Sequence, residues 1–238
     1  MLEAVLFDWG DTLVHWEWDP ELLAAGHTAG LRAIGRAPLP ELTVRFTETC
    51  LPLLDAPGTL EEVGYAGLVL RLLADSGIEA NEAQVALFIE AEHAVAESAT
   101  QLASTTHALL ESVRERGLKV GVVSNAFDPP ALLHRDLEQL GVAERLDFAV
   151  FSSETGVRKP HPAIFQRALD ALGVAAARTL FVGDSLSIDI AGAHALGMHT
   201  CQAVWFRADD DPQAGEADFQ AFTQMDVLTV MRRLEEAG

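Results

Sequence analysis

Residues 3–13, EAVLFDWGDTL, decide the fold of this chain. The run Glu3–Phe7 is apolar and strand-like, and a carboxylate, Asp8, follows it directly. Three later runs have the same character: Lys119–Val123, Phe148–Ser152 and Thr179–Val182. Short runs that are apolar throughout, without alternation, are typical of parallel strands whose two faces are both covered.

Helical patterns separate these strands, and a glycine closely follows each of them. They cover Thr106–Arg116, Pro130–Leu140, Ala163–Leu172 and Ile188–Leu196. Alternating strands and helices with short connections predict an α/β fold, a doubly wound parallel sheet. A further apolar run, Thr200–Phe206, predicts an edge strand.

The stretch from residue 15 to residue 97 breaks this alternation. One helical pattern starts at Asp19-Pro20 and runs towards Gly35; others cover Pro40–Leu54, Thr59–Ala74 and Asn81–Ser98, with no strand-like run between them. We predict a helical domain, residues 15–97, inserted after the first strand of a core domain formed by residues 1–14 and 98–238. The loop Ala208–Gly215 is predicted to be a solvated acidic turn.

Composition limits the classes of partner. The chain has 238 residues, 49% of them hydrophobic, and a net charge of −20, which argues against nucleic acid because phosphate neutralisation supplies most of that affinity. The sequence contains no apolar run of about 18 residues, so we expect no membrane span. The first residues lack a secretory signal pattern, and Cys50 and Cys201 are far apart, so we expect free thiols and a cytoplasmic location. We expect a monomer or a homodimer, and the sequence does not decide between them.

Polar side chains follow the predicted strands at their carboxyl ends, where open α/β sheets bind ligands. They are Asp8 after the first strand, Ser124 and Asn125 after the second, Lys159 beyond the third, and Asp184 with Asp189 after the fourth. Carboxylates suit Mg²⁺, which prefers oxygen ligands and keeps several waters. Asp8 could attack a phosphate ester while Asp184 helps to hold the metal, and Lys159 and Ser124 could bind the phosphate oxygens.

The order Asp8…Thr12-Leu13, Ser124, Lys159-Pro160, Gly183-Asp184-Ser185…Asp189 resembles the four motifs of the haloacid dehalogenase (HAD) superfamily. The helical insert resembles that superfamily's type-1 cap, which implies a lid that closes over the site and selects the substrate. The resemblance implies that Asp8 is the nucleophile and that Mg²⁺ binds Asp8, Asp184 and the backbone carbonyl of Gly10. It also implies that Asp189 supports the metal shell or Lys159. The candidate phosphate-binding residues are Thr12, Ser124, Asn125 and Lys159.

The chain departs from the phosphatases of this family at one position. They carry a second Asp, a general acid and base, two residues after the nucleophile; here Gly10 stands there and Asp11 follows it. General acid–base assistance is worth about 10²–10⁴-fold in rate. Three interpretations stay open. Asp11 takes over the role through a loop in which Gly10 adopts φ > 0, the substrate has a good leaving group such as an acyl phosphate, or catalysis is weakened.

We therefore expect a Mg²⁺-dependent hydrolase that acts on a small phosphorylated metabolite through an aspartyl-phosphate. One rival is a 2-haloacid dehalogenase, because family dehalogenases also lack the second Asp; they work without metal and do not keep the Gly183-Asp184-Ser185 pattern. The other rival is a catalytically weakened protein that binds a small molecule.

Overall fold

The apolar runs form the centre of a parallel sheet, as predicted. The computed structural model describes residues 1–15, 19–54, 58–206 and 215–237. Its strands are β1 (Ala4–Phe7), β2 (Val14–His15), β3 (Gln101–Leu102), β4 (Lys119–Ser124), β5 (Phe148–Phe151), β6 (Thr179–Gly183), β7 (His199–Ala203) and β8 (Phe219–Ala221). Within those ranges the main sheet has the order β5-β4-β1-β6-β7-β8, and all its neighbouring strands are parallel.

Helices cover both faces of this sheet or lie between β2 and β3. They are α1 (Pro20–Ala33), α2 (Pro40–Thr49), α3 (Leu51–Leu54), α4 (Tyr65–Asp75), α5 (Glu82–Glu97), α6 (Thr106–Glu115), α7 (Pro130–Gln139), α8 (Ser152–Thr155), α9 (Pro162–Leu172), α10 (Ala191–Ala195) and α11 (Asp226–Ala237). The predicted α/β fold is confirmed. Among the described residues, no helix is long and apolar enough to cross a membrane.

The central strand β1 is buried on both faces, which explains its unbroken apolar sequence. Val5 and Phe7 pack into one hydrophobic cluster with α6, α7 and α11. Ala4 and Leu6 point to the opposite face and pack into a second cluster with α9 and α10. Because successive side chains of a strand alternate between faces, a strand covered on both sides has apolar residues at every position.

The helices α1–α5, here called the helical insert, have a third hydrophobic cluster of their own. It contains Leu31 of α1, Phe46 of α2, Leu73 of α4 and Phe88 of α5. The separate cluster supports the predicted division of the chain, but the domain boundaries (1–14 with 98–238, and 15–97) stay a prediction. The pairing of β2 with β3 joins the two ends of the insert by antiparallel hydrogen bonds, a strand pair that the sequence did not predict.

Two helices of the insert differ from their predicted bounds. The predicted helix Pro40–Leu54 is divided at Cys50 into α2 and α3, since Pro52 supplies no N–H and its ring disfavours a continuous helix. The predicted helix Thr59–Ala74 begins only at Tyr65. The residues before it pair with the core instead: Leu60 is hydrogen-bonded through its backbone to Arg158, and Glu62 to Gly156.

The later part of the chain also departs from prediction. The run at residues 200–206 was expected to form an edge strand; this is wrong, because β7 pairs with β6 on one side and with β8 on the other. β8 and α11 were not predicted. The helix expected at Ile188–Leu196 starts earlier, with a wide π-helical turn over Leu186–Ile190. Of the predicted acidic turn Ala208–Gly215, residues 208–214 lie outside the described residues.

Candidate active site

Three neighbouring strands bring the polar residues named from sequence to one edge of the sheet. β1 lies between β4 and β6, so Asp8, which follows β1, has Ser124 at the end of β4 on one side. Asp184, which follows β6, lies on the other side. Asp8, Ser124 and Asp184 are all buried. The carboxyl end of the sheet therefore carries two carboxylates and a hydroxyl at adjacent positions.

Lys159 reaches into this edge and joins two carboxylates. Its Nζ donates to Asp8 Oδ1 at 2.6 Å and to Asp189 Oδ1 at 2.6 Å. The ammonium also lies 5.6 Å from the centroid of the Phe181 ring. Burial by itself would lower the pKa of Lys159, but the carboxylates of Asp189 and Asp8 outweigh it and raise that pKa. Lys159 therefore stays a cation in the site.

Asp189 is held in place from two directions. Its Oδ1 accepts from Lys159, and its Oδ2 accepts from the backbone N–H of Ser185 at 3.1 Å. Burial is the main cause that raises the pKa of Asp189 to about 7; Lys159 opposes the shift, while Asp8 and Asp184 add to it. Among the described residues, the buried carboxylates of Asp8, Asp184 and Asp189 gather around the ammonium of Lys159, an arrangement that favours cations.

The acidic residues fit a small divalent cation. Asp8, Asp184 and Asp189 each offer an oxygen, and these atoms lie within 4.8 Å of one another. Mg²⁺ binds oxygen at about 2.0–2.1 Å, so its ligands are at most about 4.2 Å apart, a separation that small side-chain shifts would bring about. Asp189 already accepts hydrogen bonds on both oxygens, whereas Lys159 occupies only one oxygen of Asp8. Asp8 is therefore better placed than Asp189 to give an oxygen directly to a cation.

Gly183, the last residue of β6, allows Asp189 to approach the strand. A Cβ at this position would lie 2.5 Å from the Asp189 carboxyl carbon. Such a distance is far inside van der Waals contact, so only glycine fits without moving the carboxylate. The sequence placed Gly183 in the motif but did not reveal this steric role, because it depends on the turn that carries Asp189 back to the strand.

Asn125 contacts the loop of Lys159. Its side-chain oxygen accepts from the Lys159 backbone N–H at 2.7 Å, and its amide nitrogen donates to the Lys159 carbonyl at 3.1 Å. Ser124, in contrast, makes no side-chain hydrogen bond within the described residues. Both residues were predicted to bind phosphate, but their surroundings differ. The Asn125 amide is bound to the Lys159 backbone, whereas the Ser124 hydroxyl has no protein partner among the described residues.

Thr12 lies four residues after Asp8, in the turn that follows Gly10. Its hydroxyl is buried and has no hydrogen-bond partner in the described part of the chain. Its carbonyl accepts from Trp205 Nε1 at 2.9 Å and from Gln224 Nε2 at 3.1 Å. The sequence did not reveal either donor, because both come from segments far from Thr12 along the chain.

Asp11, and not Gly10, has the left-handed backbone conformation. The expectation that Gly10 adopts φ > 0 is wrong: Asp11 has φ 52°, a region that Asp tolerates better than most residues. The Asp11 carboxylate lies 2.8 Å from His15 Nδ1, and the His15 ring stacks on Phe206 with centroids 4.8 Å apart. The carboxylates that meet Lys159 are those of Asp8 and Asp189; Asp11 pairs with a histidine instead.

Comparison with known proteins identifies the class to which this fold and site belong. The family model for haloacid dehalogenase-like hydrolases matches residues 2–197. The chain belongs to this hydrolase family, which confirms the resemblance of the four motifs and the prediction of an enzyme. The phosphatases of this family generally use a divalent metal, in agreement with the buried acidic group.

Similar proteins include both phosphatases and a dehalogenase. The chain is 30% identical over 219 residues to a phosphoglycolate phosphatase from Xanthomonas campestris pv. campestris, covering 90% of each chain. It is 30% identical over 244 residues to a glyceraldehyde 3-phosphate phosphatase from Methanopyrus kandleri, covering 98% of this chain and 99% of that one. Its fold matches the crystal structure of a 2-haloacid dehalogenase from Pseudomonas syringae pv. Tomato with a TM-score of 0.69 and 25% identity, covering 98% and 100% of the two chains.

Proposed function

We propose that this protein is a Mg²⁺-dependent phosphatase that transfers the phosphoryl group of a small phosphorylated metabolite to Asp8 and then to water. The observation that carries the proposal is the buried contact of Lys159 with Asp8, beside two further carboxylates, at the carboxyl end of the sheet. A carboxylate nucleophile, a cation and a place for a metal ion are the parts that phosphoryl transfer requires.

In the first step, an Asp8 oxygen attacks phosphorus in line with the leaving group. The new bond joins this oxygen to phosphorus, and the bond from phosphorus to the leaving oxygen breaks with its electron pair. Lys159 stabilises the charge on the phosphoryl oxygens, and the Ser124 and Thr12 hydroxyls are assigned to hydrogen-bond them. In the second step, the oxygen of water attacks phosphorus, and the bond between phosphorus and the Asp8 oxygen breaks with its electron pair. Asp8 returns to a free carboxylate, and inorganic phosphate leaves with the protons of the water.

The metal site consists of Asp8, Asp184 and the carbonyl of Gly10, with Asp189 as the residue that orients Lys159. Bound Mg²⁺ would neutralise charge on the phosphate and so lower the barrier to attack by an anionic carboxylate. Asn125 is assigned to hold the Lys159 backbone, since both ends of its amide contact that residue.

Protonation of the leaving group is the step for which this chain lacks the usual residue. Gly10 has no side chain, and the Asp11 carboxylate is engaged by His15. We keep two alternatives: Asp11 donates the proton after its contact with His15 rearranges, or the substrate has a leaving group that needs little protonation. Replacing Gly10 by Asp separates them. A gain of activity on alkyl phosphates favours a missing acid, whereas no gain together with loss in Asp11→Asn favours Asp11.

The substrate class follows from charge and from the relatives. The net charge of −20 disfavours polyanionic partners, so an anionic substrate must be small enough to be neutralised locally. The two similar phosphatases are named for phosphoglycolate and glyceraldehyde 3-phosphate, both small phosphate monoesters. A monomeric or homodimeric state and a cytoplasmic location stay predictions.

Hydrolysis of a carbon–halogen bond is the second candidate, favoured by the missing acid at Gly10 and by the fold of the similar dehalogenase. The group of three buried carboxylates favours the phosphatase, because it suits a metal cation that dehalogenases of this family do not use. The test is turnover of p-nitrophenyl phosphate with Mg²⁺ and with a chelator, in parallel with chloride release from 2-haloacids. We expect Mg²⁺-dependent turnover that Asp8→Asn abolishes and that the exposed control Asp75→Asn keeps; chloride release that is indifferent to chelation would refute the proposal.

A further inference from the structure

We propose that Glu62, in the loop before α4, is a positioning residue that fixes the Lys159 loop and so couples docking of the helical insert to assembly of the phosphate site. The inference rests on the proposed function only for the role of Lys159 towards phosphate. Glu62 was not among the candidate residues found from sequence, and its side chain is one of the most buried carboxylates of the insert, with 4% of its surface exposed.

The backbone around Glu62 pairs with the segment that leads into Lys159. The Glu62 N–H donates to the Gly156 carbonyl at 2.9 Å, and the Arg158 N–H donates to the Leu60 carbonyl at 2.9 Å. These bonds form an antiparallel bridge between Glu61 and Val157. Lys159 is the next residue after Arg158, so the insert holds the chain one residue away from the ammonium-bearing side chain.

The Glu62 carboxylate adds side-chain contacts on the same side. One oxygen accepts from the Val63 N–H at 2.9 Å; the other accepts from the Ser152 hydroxyl and lies 4.0 Å from Arg158 Nε. The Ser152 oxygen in turn accepts from the Ala126 N–H at 2.8 Å. Ala126 lies two residues after Ser124, so one carboxylate of the insert reaches both loops that carry the proposed phosphate-binding groups.

Charge burial makes this arrangement sensitive to the position of the insert. A buried carboxylate needs partners, because an unpaired one keeps the full cost of its lost hydration. Besides the Val63 N–H of the insert, the Glu62 carboxylate contacts Ser152 and Arg158 of the core. Arg158 also donates to the Leu54 carbonyl of the insert at 2.6 Å. Undocking the insert would therefore release the Glu62 and Arg158 contacts together and loosen the backbone before Lys159.

Lys159 is thus held from two sides. Asn125 contacts its backbone from within the core, and the bridge at Glu62 fixes the preceding residues from the insert. With the insert docked, both restraints act and the ammonium has one position beside Asp8. With the insert undocked, Asn125 alone remains, and we expect a wider range of ammonium positions.

The experiment compares Glu62→Ala, Glu62→Gln and the control Glu61→Ala, whose side chain is exposed although its backbone forms the bridge. Hydrogen exchange of the amides in residues 156–159 measures docking without any need for activity. Orthovanadate affinity with Mg²⁺ and steady-state turnover of p-nitrophenyl phosphate measure the phosphate site. Asp8→Asn serves as a second control that should lose turnover but keep wild-type exchange.

In Glu62→Ala we expect faster exchange in residues 156–159 and a kcat lower by about 10- to 100-fold, the usual effect of removing a residue that orients a catalytic group. KM should change less than kcat, since Lys159 acts mainly on charge in the transition state. Glu62→Gln keeps the shape of the side chain and one acceptor, so it should restore part of the slow exchange and part of kcat. Glu61→Ala should match wild type in both measurements. If Glu62→Ala does not fold, Glu62→Gln and Ser152→Ala carry the same comparison.

Unchanged exchange in residues 156–159 of a folded Glu62→Ala variant would overturn the proposal. So would faster exchange with wild-type vanadate affinity and wild-type kcat, because docking would then not affect the site. A wild-type protein that hydrolyses no phosphate would refute the proposed function instead; exchange and vanadate binding would still decide whether Glu62 positions the Lys159 loop.

Discussion

Replacing Gly183 by Ala should damage catalysis through a displacement that can be worked out from the structure. The new methyl group would lie 2.5 Å from the Asp189 carboxyl carbon, whereas ordinary contacts begin near 3.4 Å, so the carboxylate must move by about 0.9 Å. A shift of this size lengthens the 2.6 Å contact of Asp189 with Lys159 by at most about 0.9 Å, and a shift directed away from the ammonium brings it to about 3.5 Å, beyond a normal hydrogen bond.

The expected loss of kcat is about 100-fold, the typical cost of misplacing a catalytic group by about 1 Å. The added methyl should also lower the free energy of unfolding by about 1–3 kcal/mol, because it overpacks a closed site. Steady-state turnover of p-nitrophenyl phosphate and thermal unfolding measure the two effects. Gly67→Ala is the matched control: a Cβ there meets nothing within 4 Å, so activity should be unchanged and the helix slightly more stable.

The reasoning is refuted if Gly183→Ala keeps wild-type kcat and thermal stability. That result would mean that Asp189 tolerates displacement and does not orient Lys159. A loss of stability without a loss of kcat would refute only the predicted effect on catalysis. Asp189 would then have moved without losing its contact with the Lys159 ammonium.

Two further variants test the helical insert. Burial alone would lower the pKa of His93, but hydrogen bonds to Asp128 and Asp136 outweigh it and raise that pKa to about 10. Because the folded pKa lies above the unfolded one, the stability that His93 contributes is full below about pH 6.5 and is lost as pH rises towards 10. Chemical denaturation should therefore show that the free energy of unfolding falls less between pH 6 and pH 10 in His93→Gln than in wild type. An equal fall in both proteins would contradict a charged contact of His93. Gly30→Ala should lower the melting temperature, because its Cβ would lie 2.6 Å from the Phe88 ring, at a cost of about 1–3 kcal/mol; an unchanged melting temperature would show that the ring yields freely.

The sequence predicted the parts of the fold that depend on local pattern. The strands β1, β4, β5 and β6 each have an apolar run that is easy to recognise, and the topology then brings Asp8 and Asp184 to one edge. β8 was missed because it has three residues and only one of them is buried. The start of α4 was placed too early because its preceding loop pairs with the core, a long-range contact that helical periodicity does not contain.

The same limit applies to the site. The types and order of Asp8, Lys159 and Asp189 indicate phosphoryl chemistry, but their mutual distances come only from the fold. The positive φ of Asp11 was assigned in advance to Gly10, since glycine is the usual residue there. Contacts such as Glu62 with Ser152 join residues far apart in sequence, and neither residue type is unusual enough to be selected by inspection.

The most direct test of the account is the detection of a phosphoryl group on Asp8. The protein is mixed with Mg²⁺ and p-nitrophenyl phosphate, quenched in acid during turnover, reduced with borohydride and digested for mass spectrometry. The account predicts that Asp8, and no other carboxylate, is converted to homoserine, which is the reduction product of an aspartyl-phosphate, and that omission of substrate prevents this. Release of phosphate with Asp8 unmodified at every quench time would contradict the claim that Asp8 is the nucleophile.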